Sequence, residues 1–235
     1  MEIKAVFFDL DGTLLPMDQD EFVKAYFKLL VKRLAPLGYD GEKLVGALWT
    51  GVETMVRNDG SCKNEEVFWK VFTKIFGEQC LEDIPVFDEF YREEFNQVQK
   101  VCGFTEAAKE AVTLVRTLGK RPILATNPIF PAAATDNRIR WAGLSPEMFE
   151  HYTTYENASC CKPNPKYYQE LLETVGLRPE ECLMVGNDVS EDMVAETLGM
   201  KVFLLTDCLI NKENRDISRY PQGGFPELLE YLRGI

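Results

Sequence analysis

Histidine is nearly missing from this chain, with His151 the only one in 235 residues. Ser-His or Cys-His catalysis would have to pass through that single side chain, and no GxSxG turn is present to carry the serine. His151 reads instead as a structural residue on a weak strand. A Walker phosphate loop is also lacking, because Gly119-Lys120 is not preceded by the required glycine spacing, and no GxGxxG follows a strand. Basic residues are in deficit: 26 Lys and Arg stand against 38 Asp and Glu, for a net charge of −12. Such a chain repels phosphate backbones and anionic membranes, so neither nucleic acid nor a membrane is an expected partner. Its longest uncharged central stretch, residues 122–135, is short and contains Pro122, Pro128 and Pro131, which rules it out as a membrane span. The start, Met1-Glu2-Ile3-Lys4, lacks the basic and apolar segments of a secretion signal, and a cytoplasmic location is expected. There are 7 cysteines, an odd number, with no CxxC pair. That pattern suits reduced, mostly buried thiols better than a zinc site or a disulfide framework.

What is present is a globular composition, with 46% hydrophobic and 27% charged residues. Four short apolar runs, at residues 3–10, 122–126, 182–185 and 201–205, read as strands covered on both faces. A weaker fifth lies at 149–153. Helical periodicity marks 105–118, 166–175, 191–198 and 226–232, with Gly119, Gly176 and Gly199 as stops. The alternation from about residue 101 onward predicts an α/β fold built on a Rossmann-like, doubly wound parallel sheet. Residues 16–100 break that rhythm. Their apolar stripes (Phe22, Tyr26, Leu29 and Arg33; Leu44, Leu48 and Met55; a run of apolar positions from Val67 to Phe76; Phe87 to Phe95) fall at helical spacing, and aromatics are dense. The expected organisation is a catalytic core of residues 1–15 and 101–235. A small all-helical domain of residues 16–100, with a core of its own, is inserted after the first strand.

The chemistry sits at the strand ends. The first strand runs into Asp9-Leu10-Asp11-Gly12-Thr13. Two carboxylates at i and i+2 point the same way in an extended chain. Held that close, they need a cation or a shared proton, and Mg2+ suits oxygen ligands; a capping Asp beside a turn Asp is the plainer alternative. The second run ends in Thr126-Asn127, where a hydroxyl and backbone N–H groups suit an oxyanion, as an ordinary turn also would. Lys162 precedes a helix between Cys161 and Pro163, and it is the one cation among these motifs. The next strand ends in Gly186-Asn187-Asp188, with Asp192 four residues on. Asp188 is the better placed for a metal, and Asp192 also fits a helix first turn. Together these residues make a set suited to phosphoryl transfer.

Asp9-Leu10-Asp11-Gly12-Thr13-Leu14 resembles the first motif of the haloacid dehalogenase-like hydrolases, and Thr126, Lys162 and Asp188 follow in that family's order. The helical insertion resembles the family's cap. The resemblance implies that Asp9 is the nucleophile and that Asp11 is the general acid and then base. It implies Mg2+ held by Asp9, the Asp11 carbonyl and Asp188. Thr126, with donors near Asn127, would bind phosphate, Lys162 would neutralise the transferring group, and Asp192 would support the metal or orient Lys162. One departure is Asn187, at a place often occupied by Asp, where it stands as a neutral ligand or as a donor to one. Relatives that displace halide need no acid for the leaving group, so Asp11 favours a phosphorylated substrate over a halide. The expected activity is hydrolysis of a small phosphorylated metabolite. A phosphomutase, a C–P hydrolase using Lys24, Lys28 or Lys63, and a non-catalytic binding protein are the alternatives. Specificity is expected from residues 14–20 and from the turn at Arg57-Asn58-Asp59-Gly60-Ser61.

Overall fold

A computed structural model describes residues 2–235. Six strands form one parallel sheet: β1 (Ala5–Phe8), β2 (Arg121–Leu124), β3 (His151–Tyr152), β4 (Cys182–Gly186), β5 (Lys201–Leu205) and β6 (Gln222–Gly223), in the order β3-β2-β1-β4-β5-β6. Every pairing is parallel, and β1 lies at the centre, with Ala5 opposite Arg121 on one side and Cys182 on the other. The four apolar runs and the weak fifth are all strands. β6 escaped sequence reading because it is two residues long and its Gly223 reads as a turn.

Side chains alternate between the two faces. Val6, Phe8, Leu124, Leu183 and Val185 join one apolar cluster, whereas Phe7, Ile123, Met184 and Leu204 join a second. On the first face lie α5 (Glu106–Thr117) and α8 (Phe225–Arg233), through residues such as Val112 and Leu228. The second face is covered by α7 (Pro165–Val175) and by a 3-10 turn at Met193–Leu198. Helix expected at 191–198 is thus a shorter, tighter turn, because Asp192 spends its side chain on the site rather than on a helical first turn.

Between β1 and α5 the chain is helical: α1 (Gln19–Leu34), α2 (Gly41–Val56), α3 (Asn64–Phe76) and α4 (Ile84–Arg92), then 3-10 turns at Glu94–Val101. Asp18 and Asp40 cap the first two helices by accepting from the Glu21 and Lys43 amides. The buried stripe of α1 is Phe22, Tyr26, Leu30 and Leu34. Leu29 and Arg33 of the expected stripe are only partly buried, one position off the seam. A separate core does not form here. Phe22, Tyr26 and Phe95 pack on Phe130, which follows β2, with ring centroids 5.5–6.2 Å apart, and the buried residues of the insertion belong to the same cluster as one sheet face.

A further helix, α6 (Ala132–Trp141), has no counterpart in the expected elements. It is polar and weakly patterned, and its first amide donates to the Glu156 carboxylate at 2.9 Å, a cap supplied from 24 residues away. Among the described residues, no helix is long and apolar enough to cross a membrane. All seven cysteines are free, and Cys80, Cys160, Cys161 and Cys182 are buried.

Candidate active site

The chain order reverses around β1, and the crevice outside the carboxyl ends of β1, β2 and β4 is where such sheets bind ligands. A cavity of about 450 Å³ opens there, reaching from Asp9 and Asp11 up to Val23 and Trp49 of the helical insertion. Asp9 leaves β1 with its amide donating to the Val185 carbonyl at 2.9 Å. Its carboxylate is buried between two donors: Lys162 Nζ reaches Oδ1 at 2.9 Å, and Thr13 Oγ1 reaches Oδ2 at 3.1 Å. Lys162 is itself only 1% exposed and donates at 2.6 Å to Asp192 Oδ1. Asp192 Oδ2 in turn accepts the Asp188 amide at 2.9 Å. A single chain of charge-assisted bonds therefore runs from Asp9 through Lys162 to the loop after β4.

Two glycines allow this closeness. Gly12 turns the chain at φ +87°, and a Cβ there would lie 2.4 Å from Asn187 Nδ2. At Gly186 a Cβ would lie 2.2 Å from the Asp192 carboxyl carbon. Gly186→Ala is therefore expected to push Asp192 off Lys162 and to cost about 1–3 kcal/mol by overpacking. Urea denaturation measures it, and an unchanged midpoint would show that the loop after β4 yields freely.

Asn187 is buried: Oδ1 lies 2.8 Å from Thr13 Oγ1, whose one proton is shared between Asn187 and Asp9, and Nδ2 donates to the Cys208 carbonyl at 2.7 Å. Its amide ties the Asp9 turn to the loop beyond β5. Asp188 Oδ1 accepts the amides of Ser190 and Glu191 at 2.7 and 2.9 Å. Thr126 is buried at the end of β2 and lines the cavity. Its carbonyl is held by Thr153 at 2.6 Å and Tyr167 at 3.0 Å, which fixes the residue from behind. Asn127 Nδ2 donates to Glu191 at 3.1 Å, and its Oδ1 accepts the Lys162 amide at 3.3 Å. Asp9, Asp11, Thr126, Asn127, Lys162, Asn187, Asp188 and Asp192 thus converge on one place.

Two residues that sequence reading missed belong with them. Glu191 lines the cavity beside Asp192; the acidic run 188–192 was the available signal. Arg138, from the unforeseen α6, is fully buried and forms an ion pair with Asp11. Nothing local in the sequence marks it. The turn 57–61, by contrast, stays away from the cavity. Asn58 faces inward to Asn64 at 2.9 Å, and the Asp59 carbonyl accepts from Lys166 at 3.3 Å, so this turn docks the insertion on α7.

The electrostatics follow from burial. Enclosure raises the Asp11 carboxyl above its ordinary range, against the pull of Arg138 and with help from Asp9. Enclosure likewise raises Asp192, which Lys162 draws back, and pushes Glu191 up to about 8. For Lys162 burial alone works against the charge, but Asp192 and Asp9 outweigh it and hold the ammonium well above the usual lysine range. Five carboxyl groups (Asp9, Asp11, Asp188, Glu191 and Asp192) thus line the cavity floor, with Lys162 and Arg138 as the paired buried cations. The all-oxygen donor set suits a hard divalent cation, which would relieve the crowding of carboxyl groups that favours their protonated forms. Among the described residues, no three His, Cys, Asp or Glu side chains already stand grouped as a metal cluster.

A family model described as haloacid dehalogenase-like hydrolase matches residues 3–195. Among curated proteins, the chain is similar to Pyrophosphatase PpaX of Bacillus cereus (strain G9842), with 24% identity over 203 residues, 86% of this chain and 82% of that one. Among solved structures it is similar to a HAD phosphatase from Thermococcus onnurineus, with TM-score 0.62, 19% identity and 99% of each chain covered. It is also similar to the L-2-haloacid dehalogenase of Xanthobacter autotrophicus, with TM-score 0.58, 16% identity and 99% of each chain covered. The two structures share the fold with this chain, and the family match takes in every strand-end motif from Asp9 to Asp192, so the chain belongs to the haloacid dehalogenase-like hydrolases.

Proposed function

We propose that this hydrolase is a Mg2+-dependent phosphatase that cleaves a small phosphorylated metabolite through an aspartyl-phosphate. The observation that carries the reading is the placement of Asp9. Its carboxylate lies at the cavity floor, 2.9 Å from a buried ammonium, with a second carboxyl, Asp11, on the cavity wall. A dehalogenase needs only the first of these. An ester needs both, because the leaving oxygen must take up a proton.

In this reading an Asp9 oxygen attacks phosphorus and the bond from phosphorus to the leaving oxygen breaks, with Asp11 protonating that oxygen. Water then attacks the phosphorus of the aspartyl-phosphate and gives a proton back to Asp11. The bond to Asp9 breaks, and inorganic phosphate leaves. Lys162 offsets negative charge on Asp9 and on the transferring group. Thr126, together with backbone donors near Asn127, holds the phosphoryl oxygens. Asp9, the Asp11 carbonyl and Asp188 would hold Mg2+, which when bound supplies charge neutralisation at the phosphoryl group. Asn187 and Asp192 keep the ligand-bearing turns and Lys162 in place.

Residues 16–100 act as a cap over a core formed by 1–15 and 101–235. The leaving group would rest against Met17, Val23, Trp49 and Phe130, which line the upper cavity. A cavity this size suits a small molecule. The relative named as a pyrophosphatase and the neighbour named as a phosphatase agree with a phosphorylated substrate. C–P cleavage through a Schiff base is the weaker reading, since it needs a neutral lysine. Lys24, at the cavity, is raised by its bond to Glu21, and Lys63 is paired with Glu170 at 3.0 Å.

Hydrolysis of p-nitrophenyl phosphate with Mg2+ and with EDTA tests the proposal, followed by a panel of phosphorylated metabolites. Turnover that EDTA abolishes and Mg2+ restores is the expected result. A folded protein inert towards the dye and the whole panel would overturn it.

A further inference from the structure

Arg138 is a charged side chain with no solvent exposure at all, placed on α6 and inside the boundary between sheet and insertion. A buried guanidinium is costly unless each of its donors is matched. Here Nε donates to the Ala134 carbonyl at 3.3 Å, one terminal nitrogen donates to Thr135 Oγ1 at 3.2 Å, and the other donates to Asp11 Oδ2. Its carbon lies 4.4 Å from the Phe130 ring centre, a cation–π contact on the apolar side. The first two partners lie on its own helix. Among the described residues Asp11 is the only carboxylate it pairs with, and it lies 127 residues away in the chain.

The other end of the pair is equally specific. Asp11 lines the cavity, Oδ2 is taken by Arg138, and Oδ1 is buried with no hydrogen-bond partner among the described residues. Glu94 and Asp136 also keep one oxygen on an arginine and leave the other open, but of the three only Asp11 lines the cavity, where a bound molecule can supply the missing partner. An arginine placed only for stability gains nothing from that open atom, and apolar residues of similar volume fill such a space at least as well.

We propose that Arg138 is a positioning residue: it locks Asp11 by one oxygen so that the other is presented to the leaving oxygen of the substrate. The inference rests on the phosphatase reading above and adds to it a residue outside the strand-end motifs. Phe130 stacks on the guanidinium on one side and touches Phe22, Tyr26 and Phe95 of the insertion on the other. The seat of Arg138, and through it the aim of Asp11, is therefore built jointly by sheet and insertion.

The test is the dependence of rate on the leaving group. Phenyl phosphates of one shape, from p-nitrophenyl to unsubstituted phenyl, differ mainly in how much the departing oxygen needs a proton. In kcat/KM, which reports the steps through aspartyl-phosphate formation, the wild type should show a shallow dependence. Arg138→Met should keep most of its activity on p-nitrophenyl phosphate and lose about 10²-fold on phenyl phosphate, the scale of a misplaced general acid. Asp11→Asn should show the same steepening, and the double variant should be no worse than Asp11→Asn alone. Arg138→Lys, which keeps the charge without the fork, is the second variant if the methionine protein fails to fold, and it should steepen in the same sense. Equal losses on every phenyl phosphate, or additive losses in the double variant, would overturn the positioning role. A wild type with no activity on any phosphate would instead overturn the phosphatase reading, so the two failures are distinguishable.

Discussion

Asp9→Asn is expected to abolish phosphate-ester hydrolysis, lowering kcat by at least about 10⁴-fold, while leaving the protein folded. The carboxamide is nearly the same size, but its oxygen is neutral and a poor nucleophile. The fold survives because the partners of Asp9 keep other bonds: Lys162 retains Asp192 at 2.6 Å, and Thr13 retains Asn187 at 2.8 Å. The measurement is steady-state turnover of p-nitrophenyl phosphate beside a thermal melt. Turnover within about tenfold of the wild type would show that another group attacks phosphorus.

Lys162→Met should do more damage to the fold than any other single change at the site. The ammonium is the buried counter-charge to both Asp9 and Asp192. Methionine fills the space but leaves two enclosed carboxylates without it. Breaking one partner out of a buried pair costs about 3–5 kcal/mol. Activity should fall as well, by about 10²–10³-fold, because a fixed positive charge beside the transferring group is lost. The pH dependence has a definite sign. Burial already raises the Asp192 carboxyl above its unfolded value. A group raised in this way binds a proton more readily in the folded state, so stability falls as pH rises through the window between the two values. Removing Lys162 widens that window. The stability gap between variant and wild type should be largest near neutral pH and shrink towards about pH 4. Urea titrations at several pH values measure it, and a gap independent of pH would mean that the carboxylates find other partners.

Much of this site was legible because it is local. Asp9, Thr126 and Asp188 each follow a strand whose apolar run is plain, and a parallel sheet carries its strand ends to one edge. Lys162 was legible as a cation before a helix, though its two partners were not. Arg138 was hidden for a physical reason. Its helix has little amphipathic pattern, its N-terminus is satisfied by Glu156 across the fold, and its charge is matched only by a residue at the far end of the chain. The same limit applies to α1, where Leu30 and Leu34 rather than Leu29 and Arg33 face inward. Two candidate stripes on one helix are separated only by what packs against them. Nor could the shared core be read from composition, because aromatic density is the same whether helices pack on each other or on a sheet.

The central position of β1 has a consequence for how the chain acquires its shape. Residues 5–8 come before both of their flanking strands, one of which begins at Arg121 and the other at Cys182. This fully buried strand therefore has no neighbour until more than a hundred residues have followed it, and its second neighbour arrives later still. Contacts so distant in sequence are slow to form, and an unpaired apolar strand is exposed to aggregation in the meantime. The helices of residues 19–92 follow directly behind it, and neighbours such as α2 and α3 pack on each other over short separations. Phe22 and Tyr26 can gather near the strand long before β2 and β4 exist, so the segment that brings Val23 and Trp49 to the cavity lining is also the first apolar company the nascent β1 can find.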